Sequence, residues 1–240
     1  PEEVRNLPQV GYVRSISPEG VLSMRPDLIV ATGALGPPAA RRMMERFSVE
    51  TIWLPDPDSV RDLRQSIEKV AAGLGRMERG EELWASIREK LDKAEENRLP
   101  KDQRPEVLFL LEPPVGGGAG MAGGEDSRAE ALIRLAGGRN AASGFSGFRP
   151  VSLEGILEMN PDVILVALSS GHGGTEAEIE AMRNAPSLRA VAAVRSGAVY
   201  GVPLDDLAFG PRLGEVAERW TKLFSGTATQ EGVSSLVRFE

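Results

Sequence analysis

Few residues in this chain could do chemistry. It holds two tyrosines, one histidine and no cysteine, which removes thiolate catalysis, Cys-ligated zinc and iron–sulfur clusters. Tyr12 and Arg14 stand two apart in Gly11-Tyr12-Val13-Arg14, and in an extended segment both side chains leave one face. A phenolate is a hard anionic oxygen donor suited to ferric iron. Its ordinary pKa of about 10 means that ligation at neutral pH needs the metal or a nearby cation. Taken alone, such a tyrosine is more often half-buried and donates one hydrogen bond.

Arg212 follows Phe209-Gly210-Pro211, where a helix is expected to begin. A guanidinium at a helix N-terminus makes an anion site, and the plainer alternative is a surface arginine after a proline-led turn. His172, the one histidine, lies in Ser170-Gly171-His172-Gly173-Gly174, beyond an expected strand where α/β proteins bind ligands; an exposed loop histidine is the commoner outcome. Tyr200 lies in an apolar run and reads as core. The run Gly116-Gly117-Gly118-Ala119-Gly120-Met121-Ala122-Gly123-Gly124 suggests a phosphate loop, but no Gly-Lys-Ser/Thr ending follows. A flexible connector, or a wall that backbone and a flat ligand approach closely, reads as well. No Ser/His/Asp arrangement is legible, so a doubly wound enzyme is the least supported class.

These residues must be positioned by elements that the sequence marks twice. Ser17-Pro18-Glu19-Gly20-Val21-Leu22-Ser23-Met24-Arg25-Pro26-Asp27-Leu28-Ile29-Val30-Ala31 returns as Ser152-Leu153-Glu154-Gly155-Ile156-Leu157-Glu158-Met159-Asn160-Pro161-Asp162-Val163-Ile164-Leu165-Val166. Each copy reads as a serine N-cap, a short helix with glutamate in its first turn, a Pro-Asp stop and an aliphatic strand buried on both faces. Copies 135 residues apart are too distant for a solenoid and indicate two similar α/β lobes. Further strands are expected at 49–54, 107–111 and 198–202, and helices at 38–47, 128–136, 176–184 and 211–224. This alternation argues for βα units and mainly parallel sheets. Between the lobes Val60, Leu63, Ile67, Val70 and Leu74, then Leu83, Trp84, Ile87, Leu91 and Ala94, recur at helical spacing. The expected division is a lobe at 1–75, a linking helix at 76–100, a second lobe at 101–225 and a polar tail at 226–240.

The net charge of −7 and the lack of a basic cluster argue against a nucleic-acid partner. No run of about 20 apolar residues could span a bilayer. Pro1 opens a polar, acidic segment with no signal-peptide pattern, so an export signal is expected to have been removed or never present.

Leu7-Pro8-Gln9-Val10-Gly11-Tyr12-Val13-Arg14 with the Ser17–Asp27 segment resembles the haem-binding periplasmic proteins of bacterial ABC importers. So do Ala131-Leu132-Ile133-Arg134-Leu135-Ala136-Gly137-Gly138-Arg139-Asn140, Gly144-Phe145-Ser146-Gly147-Phe148-Arg149-Pro150 and Phe209-Gly210-Pro211-Arg212. The similarity runs over roughly residues 1–224 in matching order. The wider group includes cobalamin- and siderophore-binding proteins. The resemblance implies two Rossmann-like lobes bridged by a long α-helix, with a first lobe truncated at its amino end. It also implies an extracytoplasmic location, haem as transported cargo and a dimeric permease as partner. By the same resemblance Tyr12 would bind the iron and Arg14 support it. Arg212 would meet the phenolate or a propionate, Met121 would pack on the porphyrin, and Phe145 and Phe148 would cover it. Glu19 and Glu154, one per repeat, would dock onto permease arginines; read singly, each compensates a helix dipole.

Overall fold

The computed structural model describes residues 7–12, 15–114, 118–168 and 174–227. The chain divides into two compact units, Pro1–Trp84 and Ala85–Glu240. The first unit contains β1 (Gly11–Tyr12), β2 (Ser15–Ile16), α1 (Pro18–Ser23), β3 (Leu28–Thr32), α2 (Pro38–Met44), β4 (Glu50–Leu54), α3 (Val60–Gly73) and the start of α4 (Met77–Glu96). In the second unit the order is β5 (Glu106–Glu112), β6 (Gly120–Gly123), α5 (Arg128–Leu135), β7 (Arg139–Asn140), β8 (Phe148–Val151), α6 (Leu153–Met159) and β9 (Val163–Leu168). There follow α7 (Glu176–Asn184), α8 (Ala192–Ser196), β10 (Val199–Pro203) and α9 (Leu213–Phe224).

The sequence repeat is also a structural repeat. Ser17 Oγ accepts the Gly20 amide at 3.0 Å, and Ser152 Oγ accepts the Gly155 amide at 3.2 Å. Both helices stop through a left-handed residue just before the proline: Arg25 has φ 49° and Asn160 has φ 41°. Asparagine visits that conformation more readily than other non-glycine residues, and here its side chain is also fixed by a long-range bond. Asn160 Oδ1 accepts the Ala192 amide at 2.9 Å. Arginine has no such compensation, so the first copy stops under backbone strain.

Strand burial follows from what covers each sheet. In the second unit β10, β9 and β5 run parallel, while β6 is antiparallel to β5 and β8 antiparallel to β6. Leu108, Leu110, Ile164 and Val166 pack with Ile156, Ile179, Met182 and Val191. On the opposite face Phe109 stacks on Trp220 of α9, with centroids 6.1 Å apart. With helices on both faces, every residue of β9 is buried.

The first unit departs from the sequence expectation. β3 and β4 pair in parallel, and Ile29, Ala31 and Met44 form a core with Ile16, Val21, Leu35 and Trp53. Val30, on the other face of β3, is 47% exposed. Gly73 of α3 lies close against Ile52 of β4, so that helix covers one strand and leaves Val30 open. β3 is therefore not buried on both faces as its aliphatic sequence suggests.

The helical region is broken in two. After α3 the Gly75 amide bonds to the Ala72 carbonyl at 3.0 Å and the Arg76 amide to Ala71 at 2.7 Å. Gly75 adopts φ +62°. This is a Schellman stop, in which glycine carries the left-handed turn. α4 then runs for 20 residues. Gly214 of α9 approaches Ile87 and Lys90 of α4 so closely that a Cβ would fall 2.7 Å from that of Lys90.

Arg25→Asn should relieve the strained stop. We expect a gain of about 0.5–1 kcal/mol in urea denaturation, whereas an unchanged midpoint would mean that the segment already relaxes.

Candidate functional site

Parallel strands collect their following loops at one edge, and in each unit a candidate residue is held there. In the first unit Tyr12 lies in β1, with Ser15 of β2 opposite it. Gly11 has φ +128°, and a Cβ there would sit 3.0 Å from the Ser15 carbonyl. Glycine thus permits the tight pairing beside the tyrosine. The Ile16 amide donates to the Gly36 carbonyl at 3.2 Å, which ties this ribbon to the loop following β3. The Tyr12 side of the ribbon is open, and the residue is 66% exposed. Arg14 lies outside the described residues, as do His172 and the start of the glycine run, Gly116 and Gly117.

In the second unit the chain leaves β10 through a short turn, Leu204–Leu207, and reaches Arg212 at the cap position of α9. The Arg212 guanidinium is 73% exposed and lies 4.0 Å from the Asp205 carboxylate. Two such exposed partners attract each other weakly, so the guanidinium stays available to another anion. Asp206, the next residue, is buried. Its carboxylate accepts from the Trp220 indole N–H at 3.0 Å and pairs with Arg219. These contacts fasten the turn that carries Arg212 to the body of α9. Sequence reading missed Asp206; the signal was an adjacent acid pair between a strand and a helix containing Arg-Trp.

The glycine run takes a different form from the expected loop. Gly120–Gly123 is strand β6, paired with both β5 and β8. A Cβ on Gly120 would lie 2.7 Å from the Glu112 carbonyl, and one on Gly124 would lie 2.2 Å from that of Phe145. These glycines permit close packing within the protein rather than approach of a ligand. Met121, half-buried, shares a sheet face with Phe148. Phe148 meets buried Phe109 edge-on at 6.5 Å and is 38% exposed. Phe145 instead packs against the cluster on the opposite face. The two phenylalanines therefore do not present one common surface. Their loop is braced by Glu125 amide to Phe145 carbonyl and Gly147 amide to Glu125 carbonyl bonds, both 2.7 Å.

Glu19 and Glu154 occupy matching first turns and are exposed. The Ser17 hydroxyl donates to Glu19 at 3.3 Å. The backbone N–H of Glu154 and the Ser152 hydroxyl hold the Glu154 carboxyl below the usual carboxylate range. It therefore stays ionised to lower pH than a free glutamate. Tyr200 lies half-buried in β10 beside Leu165. Among the described residues no group of three or more His, Asp or Glu side chains is arranged to hold a metal ion, and no helix is long and apolar enough to cross a membrane.

The periplasmic binding protein family matches residues 1–205. Among solved structures, the chain is similar to the periplasmic haem-binding protein BhuT in complex with two haems, at 31% identity and a TM-score of 0.82, over 95% of this chain and 85% of that one. It is 25% identical over 223 residues to the uncharacterised ABC transporter substrate-binding lipoprotein YvrC of Bacillus subtilis, covering 91% of this chain and 68% of that protein. It is also 23% identical to the vitamin B12-binding protein of Vibrio campbellii over 70% of this chain, which spans 59% of that relative's length.

Removing the Asp206 carboxylate leaves Arg219 and the Trp220 N–H without their shared acceptor. Asp206→Ala should cost roughly 3 kcal/mol of stability, while the exposed neighbour Asp205→Ala should stay within about 0.5 kcal/mol. Chemical denaturation of both variants measures the contrast.

Proposed function

The chain belongs to the periplasmic binding protein family, and we propose that it captures haem outside the cytoplasmic membrane and delivers it to an ABC-type importer. The observation that carries this reading is Tyr12: a phenol oxygen on an exposed ribbon, tied to the loop at the carboxyl edge of β3. The likeness to a protein that holds haem supports it.

A phenolate on ferric iron neutralises part of the metal's charge, and the metal lowers the pKa of the bound phenol. Haem also brings two propionates. The chain is acidic overall, so the charge that meets them has to be local. Arg212 supplies one such cation on a braced turn, and Arg14, by its place in the sequence motif, supplies another beside Tyr12. Met121 and Phe148 offer apolar surface on one face of the second sheet, suited to the porphyrin. In this reading Phe145 supports the loop and makes no direct contact with the ring. The protein carries its cargo unchanged, and its partner is the permease of the importer.

Cobalamin is the second reading, favoured by the similarity to a vitamin B12-binding protein. The two differ at Tyr12, because cobalamin does not need a protein phenolate on iron.

Titration with hemin should give a saturable Soret change. Tyr12→Phe keeps the ring and removes the oxygen, so that change should be lost; unaltered binding would take Tyr12 out of the role. Arg212→Ala should weaken binding about tenfold, equivalent to about 1.4 kcal/mol. Tight cobalamin binding with no hemin response would replace haem by the second reading.

A further inference from the structure

The turn between β10 and α9 carries two adjacent acids, and the helix it leads into carries two arginines seven residues apart. Each acid takes one arginine: Asp206 pairs with Arg219, and Asp205 with Arg212. The two pairs are built differently. Asp206 is buried and also accepts the Trp220 indole N–H. Opening that pair would strand a buried charge, so it stays closed. The Asp205 and Arg212 side chains are both largely in solvent and approach only to 4.0 Å, too far for a hydrogen bond. Both groups keep their water, and an exposed pair of this kind exchanges readily with other ions. Because Asp206 fixes the turn, its neighbour Asp205 is nevertheless held beside the guanidinium.

We propose that Asp205 is a resident counter-ion for Arg212, which a ligand carboxylate has to displace, and that it thereby sets which anions this cation accepts. The inference rests on the haem reading above and adds a specificity-determining residue to it. A tethered carboxylate stands at the guanidinium at an effective concentration against which dilute free carboxylates do not compete. A ligand carboxylate prevails when it engages the planar fork through two hydrogen bonds, which Asp205 at 4.0 Å does not. It prevails more easily when the ligand is also held by other contacts, as a propionate on a porphyrin is. The displaced Asp205 then remains as a like charge near the bound propionate and opposes it. Cargo is held less tightly than an unopposed arginine would hold it, which suits a carrier that gives its ligand up.

The test titrates the full chain, at low salt, with hemin and with hemin dimethyl ester, whose propionates are blocked; the Soret change reports binding. Asp205→Asn should tighten hemin binding about threefold and leave the ester unchanged. The substitution keeps the Asp206 pair, so the turn stays in place. In an Arg212→Ala background it should alter hemin binding by less than about 1.5-fold, because no cation remains to contest. The gain should also fade at about 0.5 M salt. Glu158→Gln, at an exposed acid of α6, removes one negative charge elsewhere and should leave both titrations as in the parent. If Asp205→Asn binds hemin no more tightly than the parent, the counter-ion role is refuted and the haem reading stands. An equal gain with the ester, or a gain that persists without Arg212, refutes it as well. If neither the parent nor any variant responds to hemin, the haem reading falls and the role of Asp205 falls with it.

Discussion

Parallel strands cannot be joined by a tight turn, and each connection has to cross a face of the sheet before the next strand begins. That constraint organises both units. It places helices over the strands and gathers the loops that follow β3 and β10 at the carboxyl edges. The ribbon carrying Tyr12 is tied to one such loop, and Arg212 ends another. The candidate residues are exposed because they lie on connections, yet held because each connection is fastened to a rigid element. For Tyr12 the fastening is a backbone bond from β2, and for Arg212 it is the Asp206 carboxylate beneath the turn.

Much of this was legible in the sequence, and the reasons are local. A serine cap, a glutamate and a Pro-Asp stop are chemically specific signals, so their repetition located an α/β element in each unit and the strands β3 and β9 that follow them. Helix α7 was expected at 176–184 and is found there, because Thr175 and Glu178 form a reciprocal capping box. β6 was not anticipated: glycine has low strand propensity, and only tertiary packing against Ala129, Phe148 and the Glu112 carbonyl explains its glycines. Val30 escaped for a related reason. An aliphatic strand looks the same in sequence whether one face or both are covered, and coverage depends on where α3 comes to rest.

Of the candidate site, the sequence made Tyr12 and Arg212 visible and left Asp206 unseen. A buried carboxylate looks like any other acid until its partners are known, and those partners lie 13 and 14 residues away on the next helix. The pairing of Phe145 with Phe148 was misleading in the opposite direction. Two aromatics three apart look like a joint surface, but the strand begins between them, and the rings take different faces of the sheet.

Trp220, Phe109 and Phe148 form a row of rings that begins in the core and ends at the surface. An indole deep in a dry interior emits at short wavelength, and its emission responds to any chromophore that comes near enough to accept its excitation. Trp220 thus gives the second unit an intrinsic fluorophore that needs no added label. Its signal is shared with Trp53 and Trp84 of the first unit, so each unit carries its own light source.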